Sequence, residues 1–376
     1  MIPSIRLAIA ALVFFCTLPG LFNVERLWWW KATLAVTEYG HRLAVLPLLV
    51  ILMFRGNPSM KRHIADLLCV VSLAVLLLPL GSAILKSRAL PAELTAKYGP
   101  TDAATPPPLS FADLFFGQSP SGHTGQWLTI PRDDSPLRLI FYRASSAAPA
   151  PCIVALHSGG WEGGDPDEFP EWSHHWAAQG YATASIDYRI APQWQWPAPR
   201  DDVKTTLSYL KRHSRELGIN SDCFVLLGRS AGAQIASACA YALQDPAIRG
   251  CVSLYGPADM DFAWKYARPD DILDSPRLMR NYLGGAPDEA PKNYHSASAT
   301  LFADAGPPAL IIHGQRDTLV WHLQSSRLAA RLMEKDIPNH LLEFPWATHA
   351  LDYPFNGPSA QLSRYALHRF LNMVTR

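Results

Sequence analysis

A serine between two glycines is the first feature of this sequence that could do chemistry. The segment GRSAG at 228–232 follows the apolar run CFVLLG and precedes AQIASACAYAL, a run of small residues typical of a buried helix. G-x-S-x-G at a strand-to-helix junction lifts the serine oxygen above a sheet, because the glycines let the two backbones approach closely. The pattern predicts that Ser230 is a nucleophile. It also predicts that the amide of Ala231, at the positive end of the helix dipole, faces a developing oxyanion.

A glycine-rich segment follows an earlier apolar run, where CIVALH leads into SGGW. Backbone amides in such a loop can point to the same place as the amide of Ala231, and each donor stabilises a transition state by on the order of 3 kcal/mol. We therefore expect Gly159 and Gly160 to donate to the oxyanion. His157 is expected to orient the loop. Trp161 is expected to bind substrate as a wall of the acyl pocket, or else to pack in the core.

Two later apolar runs end in a candidate acid and a candidate base. ALIIHG leads to Asp317, beyond a strand end, where open α/β sheets carry functional side chains. LLEF leads to His349 in the last loop, so the chain order is Ser230, Asp317, His349, as expected for a serine triad of this kind. Histidine takes the serine proton and the carboxylate orients the imidazole. Asp352 and Asp336 are competing acids.

Apolar runs alternate with helical patterns from residue 111 to the end of the chain. Strands are predicted at 125–130, 137–142, 152–157, 182–187, 223–228, 250–255, 308–313 and 340–344. Helices are predicted at 201–217, 231–243, 323–336 and 359–374. This alternation predicts an α/β fold with a doubly wound, mostly parallel, eight-stranded sheet and right-handed crossovers. The aromatic-rich insertion at 257–306 is expected to cap the catalytic domain, 111–376.

Taken together and in this order, the segments HSGGW, DYRIAP, GRSAG, HGQRD and THALD resemble the α/β-hydrolase esterases related to hormone-sensitive lipase. They are also similar to bacterial carboxylesterases that deacylate sugar or aryl esters, such as acetyl and feruloyl esterases. The resemblance covers roughly 105–376. It implies an α/β-hydrolase fold with neither metal nor organic cofactor, and a triad and oxyanion hole formed by Ser230, Asp317, His349, Gly159, Gly160 and Ala231. Many members carry glycine where this chain has Ser158, which bears on loop rigidity or acyl-pocket shape.

The N-terminal part of the chain holds most of its apolar excess; hydrophobic residues make up 49% of the sequence and charged residues 17%. The runs at 7–23 and 66–85 approach the roughly 20 residues that cross a bilayer as a helix. A third span could begin near Ala32 and end at residue 54. We therefore expect a transmembrane helical region at 1–88, with the lipid bilayer as a partner, followed by a linker at 89–110.

The predicted orientation rests on basic residues between the second and third apolar segments, among them Arg55, which indicate a cytoplasmic loop. Three spans would then place the catalytic domain on the non-cytoplasmic side, in a multi-pass protein of a bacterial inner membrane. Basic residues near Arg26 and Arg88 favour the opposite orientation. The three tryptophans at 28–30 suit an interfacial aromatic belt or a packed aromatic cluster.

Charge and cysteine usage exclude other classes. The formal net charge of +1 gives no field for nucleic acid, and the spacing of the six cysteines predicts neither a metal site nor a redox pair. The leading hypothesis is a serine hydrolase that cleaves a small-molecule or lipid-like ester through an acyl-enzyme on Ser230. The same triad would also serve an acyltransferase, an amidase or a peptidase. A non-catalytic membrane-tethered binding protein is the alternative from another class. The sequence leaves the natural ester and the oligomeric state open.

Overall fold

The N-terminal part of the chain is helical. The structure is a computed structural model that describes residues 2–53, 58–100, 105–132, 134–146 and 149–376. Its first helices are α1 (Ile2–Thr17), α2 (Leu27–Leu43), α3 (Val45–Met53), α4 (Met60–Tyr98) and α5 (Phe111–Phe116), with a short 3-10 turn at Leu18–Gly20.

A mixed sheet follows, with eight strands in the described ranges. The strands are β1 (Gln126–Ile130), β2 (Leu137–Tyr142), β3 (Ala150–Leu156), β4 (Ala182–Asp187), β5 (Ile219–Arg229), β6 (Ile248–Leu254), β7 (Ala309–Gly314) and β8 (Asn339–Phe344). Their order is β1-β2-β4-β3-β5-β6-β7-β8. Strands β1 and β2 are antiparallel to their neighbours, and the rest of the sheet is parallel. Each predicted strand is confirmed, and so is the mostly parallel, eight-stranded α/β sheet with flanking helices.

Both faces of the sheet are covered. The remaining helices are α6 (Pro170–Ala178), α7 (Ala198–Arg212), α8 (Ser214–Leu217), α9 (Ala231–Ala242), α10 (Met260–Tyr266), α11 (Ser275–Leu283), α12 (Pro291–Ala297), α13 (Ala299–Phe302), α14 (Leu323–Glu334) and α15 (Pro358–Val374). On β5, Leu226 belongs to one apolar cluster, whereas Val225 and Leu227 belong to the other. Because side chains alternate along a strand and both faces are buried, the central strands are apolar throughout.

The segment 257–306, between β6 and β7, folds into the four short helices α10 to α13. Helices α12 and α13 pack against α9, and α13 also packs against α14, whereas α10 packs against α11 and α12. Tyr282 and Tyr294 are fully buried there, whereas Tyr266 is half exposed. The insertion therefore has its own apolar anchors and leaves an aromatic side chain near its outer surface.

One of the predicted membrane spans is matched by a helix of sufficient length. By length and composition alone, α4 could cross a bilayer, and it contains the predicted span 66–85. The helices α2 and α3 meet at a bend of 49° and pass the same test only as one broken span. The apolar helix over Ser4–Gly20 is too short to pass. Three spans were predicted. Among the described residues, one helix is long and apolar enough to cross a bilayer, or two if α2 and α3 together form one span.

The predicted linker is partly wrong, because α4 continues without a break to Tyr98. Residues 89–98 are therefore helical. The stretch RALPAELTAKY contains good helix formers, and its proline does not end the helix. Residues 101–104 of the linker lie outside the described residues. So does Arg55, and the membrane orientation stays a prediction.

The N-terminal helices pack directly on the catalytic domain. In α2 the carboxylate of Glu38 is fully buried and accepts hydrogen bonds from the hydroxyl and amide of Ser359, at 2.6 and 3.2 Å. This carboxylate satisfies a free amide at the start of α15. In α4 the side chains of Leu90 and Leu94 are buried in the same apolar cluster as α15. The N-terminal region is thus joined to the catalytic domain by polar and apolar contacts.

Candidate active site

Ser230 lies at the turn from β5 to α9, with a left-handed φ of +51°. The flanking glycines make this turn possible. A Cβ at Gly228 would lie 2.1 Å from the carbonyl oxygen of Gly232, and a Cβ at Gly232 would lie 2.4 Å from that of Leu156. The amide of Ser230 donates to the carbonyl of Leu254 at 3.0 Å. Such a strained non-glycine residue persists only where its surroundings hold it, as they do here.

The structure brings the three predicted triad residues together. His349 Nε2 lies 2.9 Å from Ser230 Oγ, and His349 Nδ1 lies 2.6 Å from Asp317 Oδ2. All three residues are buried, with exposed fractions below a tenth. With Nδ1–H donated to the carboxylate, Nε2 is left to accept the serine proton.

The carboxylate of Asp317 is fixed by several donors. Oδ1 accepts the amides of Leu319 and Val320, at 2.8 and 2.9 Å. Oδ2 accepts His313 Nε2 at 3.1 Å in addition to His349. Burial raises the pKa of Asp317, but the charge of His349 and these hydrogen bonds outweigh it and hold the pKa well below its usual value. The carboxylate is therefore ionised and fixed in orientation.

Neither competing acid contacts the histidine through its carboxylate in the described structure. The Asp352 carboxylate is fully buried and accepts Arg229 Nε and the Tyr255 hydroxyl, at 2.6 and 2.5 Å. The Tyr255 ring in turn packs against the His349 ring, with centroids 4.6 Å apart. Asp336 is exposed after α14. Asp352 therefore belongs to an ion pair behind the site.

The loop after β3 faces the serine. Gly159 and Gly160 adopt φ values of +114° and +59°. Gly160, Ala231 and Ser230 border one cavity, whereas the carbonyl of Gly159 accepts the amide of Gly163 at 3.0 Å inside the turn. The positive φ values turn the backbone sharply, a geometry that glycine adopts without strain. The loop can therefore present amides to the space above Ser230.

The start of this loop is fixed by side chains. His157 stacks on Tyr188 at 4.1 Å, and its Nδ1 lies 2.7 Å from the carbonyl of Ser158. Burial lowers the pKa of His157, so the ring is neutral at neutral pH. Ser158 donates its amide and hydroxyl to the two carboxylate oxygens of Glu168. These contacts agree with a loop-orienting part for His157.

Trp161 both lines the cavity and packs in the core, the two alternatives that the sequence left open. It lines the cavity, yet only 7% of its surface is exposed. Its ring stacks on Tyr282 at 4.6 Å, and its Nε1 donates to Gln234 Oε1 at 3.1 Å. The same oxygen accepts the Tyr282 hydroxyl at 2.8 Å. Gln234 thus links the oxyanion loop to the cap. This contact could not be predicted from the sequence, because a single glutamine in a helix forms no recognisable motif.

A cavity of about 460 Å³ opens above Ser230. Its walls come from the oxyanion loop, α10 and α11, and the segment after Asp317. The aromatic side is formed by Phe262, Tyr266 and Trp321, whose rings lie 4.9 to 5.6 Å apart. Asn23, from the loop between α1 and α2, also lines the cavity. Sequence reasoning missed that contribution, because it arises from tertiary packing over a long separation.

No cluster of three or more His, Cys, Asp or Glu side chains suited to a metal ion occurs in the described part of the chain. The six cysteines are free, and five of them are buried. Cys16, on α1, is exposed.

The family follows from the sequence profile. The profile of the BD-FAE family matches residues 139–332, just over half of the chain. The chain belongs to the BD-FAE family. The matched stretch runs from β2 to α14 and includes the oxyanion loop, Ser230 and Asp317. His349 lies beyond it.

Two curated proteins to which the chain is similar are named as esterases. The BD-FAE chain is 25% identical over 244 residues to "Esterase LipC" of Mycobacterium tuberculosis (strain ATCC 25618 / H37Rv), covering 61% of this chain and 59% of LipC. It is 26% identical over 221 residues to "Esterase LipQ" of the same organism, covering 52% and 49%. The chain thus spans less than two thirds of the length of either relative.

Solved structures share the fold of this BD-FAE protein. A fungal esterase from Rhizomucor miehei superposes with a TM-score of 0.61 at 19% identity, covering 69% of this chain and 85% of that one. An esterase from Pyrobaculum calidifontis gives a TM-score of 0.59 at 20% identity, covering 78% and 99%. At these identities the likeness concerns the fold alone, which is the α/β-hydrolase fold that the motifs predict.

Proposed function

We propose that this chain is a serine carboxylesterase that hydrolyses a carboxylic ester through an acyl-enzyme on Ser230. The observation that carries the proposal is the continuous hydrogen-bonded chain from Asp317 through His349 to Ser230 Oγ, at 2.6 and 2.9 Å, at the base of a cavity. The names of the relatives LipC and LipQ support the same reaction class.

In the first half-reaction, Ser230 Oγ attacks the ester carbonyl carbon while His349 Nε2 takes the serine proton. The carbonyl π electrons move to oxygen, and the negative charge is met by the amides of Ala231 and the glycine loop. The carbon–oxygen bond to the alcohol then breaks, and His349 gives its proton to the departing alkoxide. Asp317 stabilises the imidazolium throughout.

In the second half-reaction, His349 takes a proton from water, whose oxygen attacks the acyl carbon. The tetrahedral intermediate collapses, and the proton returns to Ser230 as the carboxylic acid leaves. No metal or organic group enters these steps. Acyl transfer, amide hydrolysis and peptide hydrolysis share the covalent step, and no contact in the described structure favours them over ester hydrolysis.

The cavity supports an ester of moderate size with an apolar or aromatic part. Its aromatic side would contact the apolar part, since burial of apolar surface is favourable by about 25 cal/mol per Å². Its polar residues, including Asp271 and Gln315, would face the rest of the substrate. Hydrophobic pockets discriminate weakly between close homologues, so a range of esters should be accepted.

The direct test is hydrolysis by the full chain of p-nitrophenyl esters of increasing acyl length, with Ser230→Ala as control. We expect saturable hydrolysis by the wild type and loss of about three or more orders of magnitude in the variant. A competing alcohol in the assay would separate hydrolysis from acyl transfer by the products formed. Absence of hydrolysis across the series, or equal rates in Ser230→Ala, would contradict the proposal.

We also propose that the N-terminal helices attach the chain to a lipid bilayer. Only 33% of the most apolar 18-residue stretch of α4 is buried. A core helix of a soluble protein is, by contrast, mostly buried. Leu12 of α1, Leu52 of α3 and Leu67 of α4 are each more than half exposed. Retention of the chain in membranes washed with alkaline carbonate would support attachment. Recovery of the folded chain in the wash supernatant would contradict it.

A further inference from the structure

The loop between α1 and α2 reaches the catalytic cavity. Asn23 and Glu25 line the same cavity as Ser230, although more than two hundred residues separate them along the chain. Val24, between them, is not among the lining residues and is more than a third exposed. Asn23 and Glu25 therefore face the cavity, whereas Val24 faces away from it.

Arg316, the residue before the triad acid, holds this loop in place. Its guanidinium donates from Nη1 to the carbonyl of Gly20 at 2.5 Å and from Nη2 to that of Pro19 at 3.0 Å. Its Nε donates to Asn23 Oδ1, also at 3.0 Å. Three donors of one planar group thus engage three acceptors of the loop, an arrangement that fixes geometry well. The loop is attached to the same segment that carries the acid.

The other side of the loop is attached to the cap. Arg268, which follows α10, donates from Nη2 to Glu25 Oε2 at 2.5 Å. Both side chains are largely exposed, so this pair adds little stability by itself. This pair nevertheless connects the α1–α2 loop to the cap, as Arg316 connects the loop to the segment after β7. Asn23 and Glu25 therefore border the cavity between two attachments.

Trp30, at the start of α2, contacts the triad histidine directly. Its Nε1 donates to the carbonyl oxygen of His349 at 3.2 Å, and the two rings meet edge to face with centroids 6.5 Å apart. The Tyr255 ring also packs on His349. The imidazole is thus held by one aromatic ring from the catalytic domain and by one from the N-terminal region.

We infer that the N-terminal helical region is part of the active site as well as a candidate anchor. Trp30 is a positioning residue for His349, and Asn23 and Glu25 of the α1–α2 loop form a wall that determines which esters the cavity accepts. The inference rests on the proposed esterase activity. It assigns the α1–α2 loop to the part of the substrate that extends beyond the scissile ester. Asn23 and Glu25 line the cavity, and in the described structure their side chains bond to Arg316 and Arg268 rather than to a triad residue.

The positioning part is tested in the full chain with Trp30→Phe beside Trp28→Phe. Phenylalanine keeps an aromatic ring but removes the indole donor to His349, whereas Trp28 is 66% exposed and packs only on the neighbouring Trp29 among the described rings. We expect Trp30→Phe to lower kcat about tenfold for every ester, because small displacements of a catalytic group are costly. KM and the melting temperature should change little. If Trp30 served only the stability of the fold, the melting temperature would fall as well. Equal kcat in the two variants would overturn the positioning part.

The wall is tested with Asn23→Trp beside Val24→Trp. The larger side chain at position 23 enters the cavity, whereas the one at position 24 does not. We expect kcat/KM for long esters relative to the acetate to fall about tenfold or more in Asn23→Trp and to stay as in the wild type in Val24→Trp. An unchanged ratio in Asn23→Trp would overturn the wall assignment. A wild type inactive on every ester would instead reject the esterase proposal, so the two failures are distinguishable.

Discussion

The Ser158 hydroxyl donates to Glu168 Oε1 at 2.7 Å, and the Ser158 amide donates to Oε2 at 2.8 Å. This two-point contact fixes the first residue of the loop that faces Ser230. The family pattern that the loop resembles has glycine at this position, so Ser158 is a departure from it. Here the serine side chain adds a charge-assisted hydrogen bond, which is stronger than one between neutral groups.

We therefore predict that Ser158→Gly lowers kcat by about three- to tenfold with little change in KM. The variant keeps the amide contact but loses the hydroxyl contact and gains backbone freedom, so the oxyanion donors are less well positioned. Steady-state kinetics on a short p-nitrophenyl ester measure both constants. Glu168→Gln should produce a similar loss. Wild-type kcat in Ser158→Gly would show that the hydroxyl contact does not position the loop.

Substitution of the two buried aspartates near His349, Asp317 and Asp352, should have different effects: the first mainly on kcat and the second mainly on stability. Asp317→Asn removes the charge that stabilises the imidazolium, so we expect kcat to fall by about 10³ to 10⁴. The backbone amides that bond Asp317 can still donate to the asparagine oxygen, and the melting temperature should change little. The measurements are kcat and thermal unfolding on the same preparation. A kcat within tenfold of wild type would contradict the assignment of Asp317 as the triad acid.

Asp352→Asn should have the opposite profile. It leaves the Arg229 guanidinium buried without its carboxylate, and removing one partner of a buried ion pair destabilises a protein by about 3–5 kcal/mol. We expect a marked fall in the free energy of unfolding by denaturant, with a kcat loss per folded molecule far smaller than that of Asp317→Asn. If Asp352→Asn abolished turnover while stability was kept, Asp352 would be the better candidate for the acid.

His340 gives a pH dependence of stability. It lies on β8, with its ring 6.2 Å from that of Tyr98 at the end of α4, and burial lowers its pKa from 6.5 to about 4. Between these two values the unfolded chain binds a proton that the folded chain does not. The free energy of unfolding should therefore fall as the pH drops through that window, by at most about 3 kcal/mol from this residue.

The matching experiment compares wild type with His340→Gln by denaturant unfolding at several pH values from neutral to about 4. His175, whose pKa burial also lowers to about 4, acts in both proteins, so the difference between the two curves isolates His340. We expect the variant to lose less stability than the wild type as the pH falls. Parallel curves would mean that His340 is not held neutral in the fold.

Much of the fold and site was predictable from local sequence. Buried parallel strands are continuous apolar runs, so β7 was located to within one residue at each end. The run predicted for β5 lies inside that strand, which begins four residues earlier, at Ile219. GRSAG combines a turn requirement with a nucleophile, which made Ser230 recognisable. The choice of Asp317 over Asp352 depended on strand position, and only the packing of Arg229 against Asp352 shows why the latter is unavailable.

Other features depend on contacts that no local pattern encodes. The predicted linker begins ten residues too early, because the composition of 89–98 does not show that α4 continues to Tyr98 and packs on α15. The proximity of Asn23 and Trp30 to the triad comes from the docking of α2, in which Glu38 binds Ser359. Apolar periodicity indicates that a helix is amphipathic or buried, but not which partner it meets.

The central claim is that Ser230 is a nucleophile activated by His349, and covalent labelling tests it most directly. The full chain would be treated with a fluorophosphonate and analysed by mass spectrometry of the intact protein and its peptides. We predict a single phosphonyl adduct on Ser230 in the wild type and none in Ser230→Ala, with much slower labelling in His349→Ala because the serine proton has no acceptor. A wild type that stays unlabelled, or a label that persists in Ser230→Ala, would contradict the account.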